Sequence, residues 1–172
     1  MLPRTLRALS IARGSSLRDE LVAFLRHAAA DAPPDAWDEP LVLGRAAAVR
    51  RLAAEARACG DARVAAVADY EEALFNAPGG GAPAVLRLAV DPLPLLRALD
   101  AGATELPPPG PPRAVLFTSR GESARAVAIS PFLADVAEAR APEDLSARWP
   151  GADARLVGEA RRRLQELLAG TR

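Results

Sequence analysis

In 172 residues the chain has room for one domain with a sizeable core or for two small lobes, and its 22 basic residues balance 22 acidic ones. A zero net charge provides no general attraction to nucleic acid or anionic lipid, so either partner would need a local patch. A single cysteine excludes an internal disulfide, no run reaches the ~18 apolar residues of a membrane span, and the N-terminal stretch lacks the apolar core of an export signal, which makes the cytoplasm the expected compartment.

Residues 1–77 read as a helical lobe. Half of the chain is apolar but only 4% is aromatic, and alanine supplies much of the rest, so the expected core is one of closely approaching helices. Ser16 is placed to cap a helix with the stripe Leu17, Leu21, Phe24, Leu25 and Ala28, and Asp19 three places later completes a capping box. Pro33 and Pro34 end it. A second helix is predicted from Pro40 to Ala58, stopped by Gly60, and a third from Asp61 to Asn76 with Val64, Val67, Ala68, Leu74 and Phe75 buried. The run from Asn76 to Pro83 then breaks the pattern.

A second lobe is predicted over residues 84–172. Ala84 to Val90 alternates like a strand, and Pro92 to Leu99 reads as a short helix. Residues 105–113 are a proline-rich spacer that is stiff and poor in backbone donors. Ala114 to Thr118 and Arg125 to Ser130 have strand composition and face each other across a turn with Gly121 suited to positive φ, so a β-hairpin is expected. Ser130 and Pro131 form an N-cap and first helical position for a helix with Phe132, Leu133, Val136 and Ala137 on one side. Pro142 opens a short helix to Trp149, and Asp153 caps a last one whose stripe is Leu156, Val157, Ala160, Leu164, Leu167 and Leu168. The fold class expected is α+β: a helical lobe, then a winged-helix-like lobe of short sheet and three helices.

Catalytic signals are sparse. His27 is the lone histidine and has no acidic partner nearby in sequence, so it reads as structural or exposed. Cys59 beside a helix-ending glycine reads as inert. A metal centre would need several His, Cys or clustered carboxylates, and no cofactor is expected. Asp69, Glu71 and Glu72 cluster in sequence, but neighbours one and two apart point in different directions on a helix, so they read as a solvated face. Gly79, Gly80 and Gly81 lack the Lys-Ser/Thr of a phosphate-binding loop and read as a joint. Arg161, Arg162 and Arg163 could touch phosphates, but Glu159 with Arg163 and Arg162 with Glu166 have the i,i+4 spacing of ordinary solvated ion pairs. Binding is therefore expected in place of catalysis.

Four stretches in order, SSLRDELVAFL, VAAVADYEEALFNA, LRLAVDPLPLLRAL and ISPFLADVAEARAPEDLSARW, resemble the HvfC/BufC-type family, partner proteins encoded beside multinuclear non-haem iron oxidative enzymes. The similarity includes an S-L-R-D helix start, the aromatic-acidic helix with Tyr70, Glu71, Ala73 and Leu74, and the strand-Pro-Leu-Leu step with Leu88, Pro92, Leu95 and Leu96. Many members carry a further helical segment before the S-L-R-D start, whereas Met1 to Gly14 precede it here. The C-terminal half also resembles the peptide-recognition elements of ribosomally synthesised peptide pathways, in which a leader peptide adds a strand beside a hairpin and lies against the third helix.

The resemblance implies a non-catalytic partner that binds a precursor peptide and presents it, as a heterodimer, to an iron-dependent modifying enzyme that holds the iron. An exposed strand edge offers an extended peptide regularly spaced donors and acceptors, which makes Arg125, Ala126, Val127, Ala128 and Ile129 the expected peptide-binding strand. Arg155, Glu159 and Arg162 on the last helix are the expected polar wall. The alternative is a winged-helix DNA-binding regulator, favoured by the three-helix layout and the arginine triplet and opposed by zero net charge. A purely structural subunit is a third reading.

Overall fold

The computed structural model describes residues 2–30, 41–77, 83–120, 123–139 and 142–169. Their order is α1 (Pro3–Arg13), α2 (Leu17–Ala30), α3 (Leu41–Ala58), α4 (Ala62–Asn76), β1 (Ala84–Leu88), α5 (Leu93–Asp100), β2 (Arg113–Arg120), β3 (Ser123–Ile129), α6 (Pro131–Glu138), α7 (Pro142–Arg148) and α8 (Ala154–Ala169). The chain is thus α+β, helices first and then a small antiparallel sheet with helices. Among the described residues no helix is long and apolar enough to cross a membrane.

Two compact units interleave in sequence: Met1–Glu72 with Ala89–Pro111, and Ala73–Leu88 with Pro112–Arg172. A linear division at 77 and 84 was expected. It does not capture α5, whose Leu95, Leu96 and Leu99 are buried in one core with Leu6 and Leu9 of α1. The spacer also belongs to the first unit for most of its length. Arg63 of α4 donates to the carbonyls of Leu106 and Pro107 at 3.2 and 2.9 Å, and Asp61 holds that guanidinium in turn at 2.6 Å. Gly110 passes so close to Asp91 that a Cβ added there would lie 3.1 Å from the aspartate Cβ.

Helix α1, inside the expected helical lobe but ahead of the first helix predicted in it, packs on α2, α3 and α5. Gly14 ends it in the left-handed region at φ 64°. Its first turn contains no acidic residue and no capping side chain of its own. Glu71 of α4 supplies what is missing: one carboxylate oxygen accepts the backbone N–H and the hydroxyl of Thr5, each at 2.8 Å. Helix α2 begins as expected, with the Asp19 N–H donating to Ser16 Oγ at 3.1 Å and the Ser16 hydroxyl to Asp19 at 2.6 Å. Its expected stripe is only partly buried, since Phe24 is enclosed but Leu17 and Leu25 are 48% and 55% exposed. On α4, Val64, Val67 and Ala68 are buried as expected, while Phe75 is exposed.

In the second unit β2 is the central strand, with β1 and β3 antiparallel on its two sides. The hairpin is longer than expected, and the strand expected from Ala84 to Val90, which ends at Leu88, is the third strand of its sheet. Val85, Leu116 and Val127 form one row across the sheet, and they share a core with Ile129, Ala134, Leu145, Ala160 and Leu164. Helix α6 packs on β1 and β2, and α8 on α6. The caps are those predicted: the Leu133 N–H donates to Ser130 Oγ at 3.2 Å, and the Leu156 N–H to Asp153 at 2.7 Å. Leu156, expected in the apolar stripe of α8, is exposed instead.

Candidate functional site

The sheet has two edge strands, β1 and β3; β3 is the one expected to bind peptide, and its register tells which backbone groups it offers. Arg120 and Ser123 are partners with only two residues between them. An antiparallel pair closed over two residues ends on partners that exchange both hydrogen bonds. Alternation then assigns the pairs Thr118 with Arg125, Leu116 with Val127 and Ala114 with Ile129 to the same kind. Ala124, Ala126 and Ala128 therefore turn their N–H and C=O groups away from β2. The expected positive φ of Gly121 falls outside the described residues.

Side chains alternate in the other dimension. Arg125, Val127 and Ile129 lie on the sheet face that carries the second core, and Ala124, Ala126 and Ala128 on the opposite face, where Val115 and Phe117 of β2 are also buried. Of the five expected strand contacts, Arg125 and Ala128 are exposed and Ala126 and Val127 half-buried. Ile129 is a correction: at 5% exposure it is part of the core, and its backbone faces β2.

Arg155, Glu159 and Arg162 are exposed on α8, where Arg155 approaches Glu159 at 4.0 Å. The triplet makes its contact at i,i+3, Arg163 to Glu166 at 3.1 Å. Helix α8 packs on α6, and its Ala160, Leu164, Leu167 and Leu168 share the second core with Val127 and Ile129 of β3.

The acidic run on α4 is a second correction. Glu71 is buried as the cap of α1, while Asp69 and Glu72 both grip Arg57 of α3. The residues are not a solvated face, because helical neighbours one and two apart diverge and here meet different helices. Cys59 is half-buried against the first core. The side chain of His27 and the run Gly79 to Gly81 lie outside the described residues.

Asp135 was not singled out by sequence, yet it ties α6 to β1, the outer strand opposite β3, and to the end of α7. It is buried on α6 and accepts from Arg87 of β1 at 2.6 Å, from Arg148 of α7 and from the Trp149 indole at 2.7 Å. Burial pushes its pKa up, but hydrogen bonds from Trp149 and Arg148 and the charge of Arg87 outweigh that and hold it below the usual carboxylate value. Trp149 in turn meets Phe132 edge to face with ring centres 5.3 Å apart. A signal existed only in hindsight: an aspartate inside an apolar helix stripe needs buried donors.

Among the described residues no group of three or more His, Cys, Asp or Glu side chains gathers as a metal site would. Comparison with protein-family models, curated proteins and solved structures found no match.

Proposed function

We propose that this chain is a non-catalytic partner protein which captures a ribosomally synthesised precursor peptide by strand addition at β3 and presents it, within a heterodimer, to an iron-dependent oxidative enzyme in the cytoplasm. The observation that carries the reading is the edge itself, where Ala124, Ala126 and Ala128 direct their backbone groups away from β2 on a supported sheet. Such an edge pairs with an extended chain without reshaping the fold. A disordered precursor would lose entropy on docking, so affinity in the micromolar range is expected. The iron resides in the enzyme, and the chain supplies position.

The experiment begins with the neighbouring genes, which on this reading encode an iron-dependent oxidative enzyme and a short precursor, and continues with reconstitution of the three products. Modification of the precursor should require the chain, and light scattering should find a one-to-one complex with the enzyme. Equal modification without the chain would overturn the proposal. A second reading, a DNA-binding regulator, draws on the triplet Arg161, Arg162 and Arg163, all exposed on α8.

A further inference from the structure

We infer that β3 is also where two copies of this chain meet: their β3 strands pair antiparallel about a two-fold axis at Ala126, joining two three-stranded sheets into one of six strands in a dimer that forms and dissociates readily. The pairing uses the edge assigned above to the precursor but does not depend on that assignment.

The symmetry of the strand carries the inference. Two identical strands joined edge to edge in a closed pair are related by a two-fold axis. An axis along the strands would set N–H opposite N–H, so the axis stands perpendicular to the sheet and the pairing is antiparallel. The outward residues Ala124, Ala126 and Ala128 are centred on Ala126, which is also the middle of the 7 residues Ser123–Ile129. An axis there pairs Ala126 with its own copy and Ala124 with Ala128 of the second copy. All three outward residues then exchange hydrogen bonds, and the strands overlap over their whole length. The neighbouring registers do worse. Centred on Arg125, like charges face each other. Centred on Val127, Ala124 falls opposite Ser130, whose carbonyl already accepts the Ala134 N–H of α6. At Ala126 only methyl groups meet on one face, and on the other Val127 lies beside the aliphatic stem of Arg125, whose charge is engaged within its own chain and is not called upon. The opposite edge does not compete. By the same alternation β1 turns only Val85 and Arg87 outward, and Pro83, next in that phase, has no N–H to give. Strand β3 contains no proline and no bulge. A pair of such short strands buries far less than the ~1,200 Å² of a lasting interface, so the dimer is transient.

The test is sedimentation velocity of the full chain over rising concentration, together with cysteine cross-linking in a Cys59→Ala background. The weight-average mass should climb from the 18.0 kDa of one chain toward twice that value in the high-micromolar range, and Ala126→Pro should stay at the mass of one chain. Ala126→Cys should form a disulfide-linked dimer under mild oxidation, because directly opposed residues of a hydrogen-bonded pair lie about 5.5 Å apart at Cα, within disulfide reach. Ala124→Cys and Ala128→Cys should not, because each lies four residues out of register with its own copy, about 14 Å along the strand. Should Ala126→Pro unfold by circular dichroism, the cysteine pattern decides. A chain that stays monomeric, with no Ala126→Cys cross-link, overturns the pairing and leaves precursor capture to its own test. A dimer that survives Ala126→Pro, or that cross-links as readily at Ala124→Cys as at Ala126→Cys, puts the contact elsewhere and overturns it equally.

Discussion

Thr5 presents both its backbone N–H and its hydroxyl to a single oxygen of Glu71, a residue 66 positions later in the chain. A helix N-terminus leaves donors without partners, and α1 has no cap of its own, so a buried carboxylate from another helix completes it. Removing that carboxylate as Glu71→Ala leaves buried donors unsatisfied and is expected to cost about 3 kcal/mol in urea denaturation. Thr5→Val, which deletes only the hydroxyl, should cost about 1 kcal/mol. A Glu71→Ala protein as stable as the parent would show that the cap contributes nothing.

Asp135 sets a pH dependence whose sign is fixed by its depressed pKa. Because the folded value lies below the unfolded one, the stabilisation is fully present above about pH 4 and is lost as pH falls through the folded value. In a Trp37→Phe background Trp149 is the remaining tryptophan, and its emission reports the release of the indole from the carboxylate. The acid limb of the stability curve should flatten in Asp135→Asn, with a loss of about 2 kcal/mol at neutral pH. An unchanged acid limb would mean that Asp135 is not the group that titrates.

Local signals in the sequence were the readable ones. Ser16 with Asp19, Ser130 before Pro131 and Asp153 all cap the helices they precede, because a cap needs only a side chain and amides two or three residues away. What depended on distant chain was not legible. Periodicity marks Leu17 and Leu25 as candidates for burial but says nothing of whether another element arrives to cover them. Glu71 reads as a surface charge and Asp135 goes unmarked until Thr5, Arg87 and Trp149 come to meet them. At the candidate edge, strand composition on both sides of a glycine turn marks the strand; only the pairing of Arg120 with Ser123 assigns which of its residues face outward.

Exposed arginines on α8 make the regulator reading testable. If they held duplex DNA, neutralising phosphates would release counterions and affinity would fall steeply with salt. The expected outcome in fluorescence anisotropy is weak binding that is indifferent to sequence and vanishes near about 150 mM salt. Submicromolar, sequence-selective binding under those conditions would make the regulator the better account.

Proline substitution separates the two backbone phases of β3. Ala126 points its N–H outward, so Ala126→Pro deletes a donor that the sheet does not use, and the ring then occupies the place where an added strand would lie. Extended φ near the proline value costs a little, and a modest drop in melting temperature is compatible with an intact fold. Val127 donates toward Leu116, so Val127→Pro breaks the ladder and should lose at least about 1 kcal/mol beyond any cost of the ring itself. The expected pattern is therefore crossed: Ala126→Pro keeps its circular dichroism and loses precursor binding, whereas Val127→Pro is destabilised. Arg155→Ala on α8 provides the contrast, and an exposed charge there should change binding by no more than about 1 kcal/mol. A folded Ala126→Pro protein that bound precursor like the parent, with binding abolished by the Arg155 change, would transfer recognition from the strand edge to the helix.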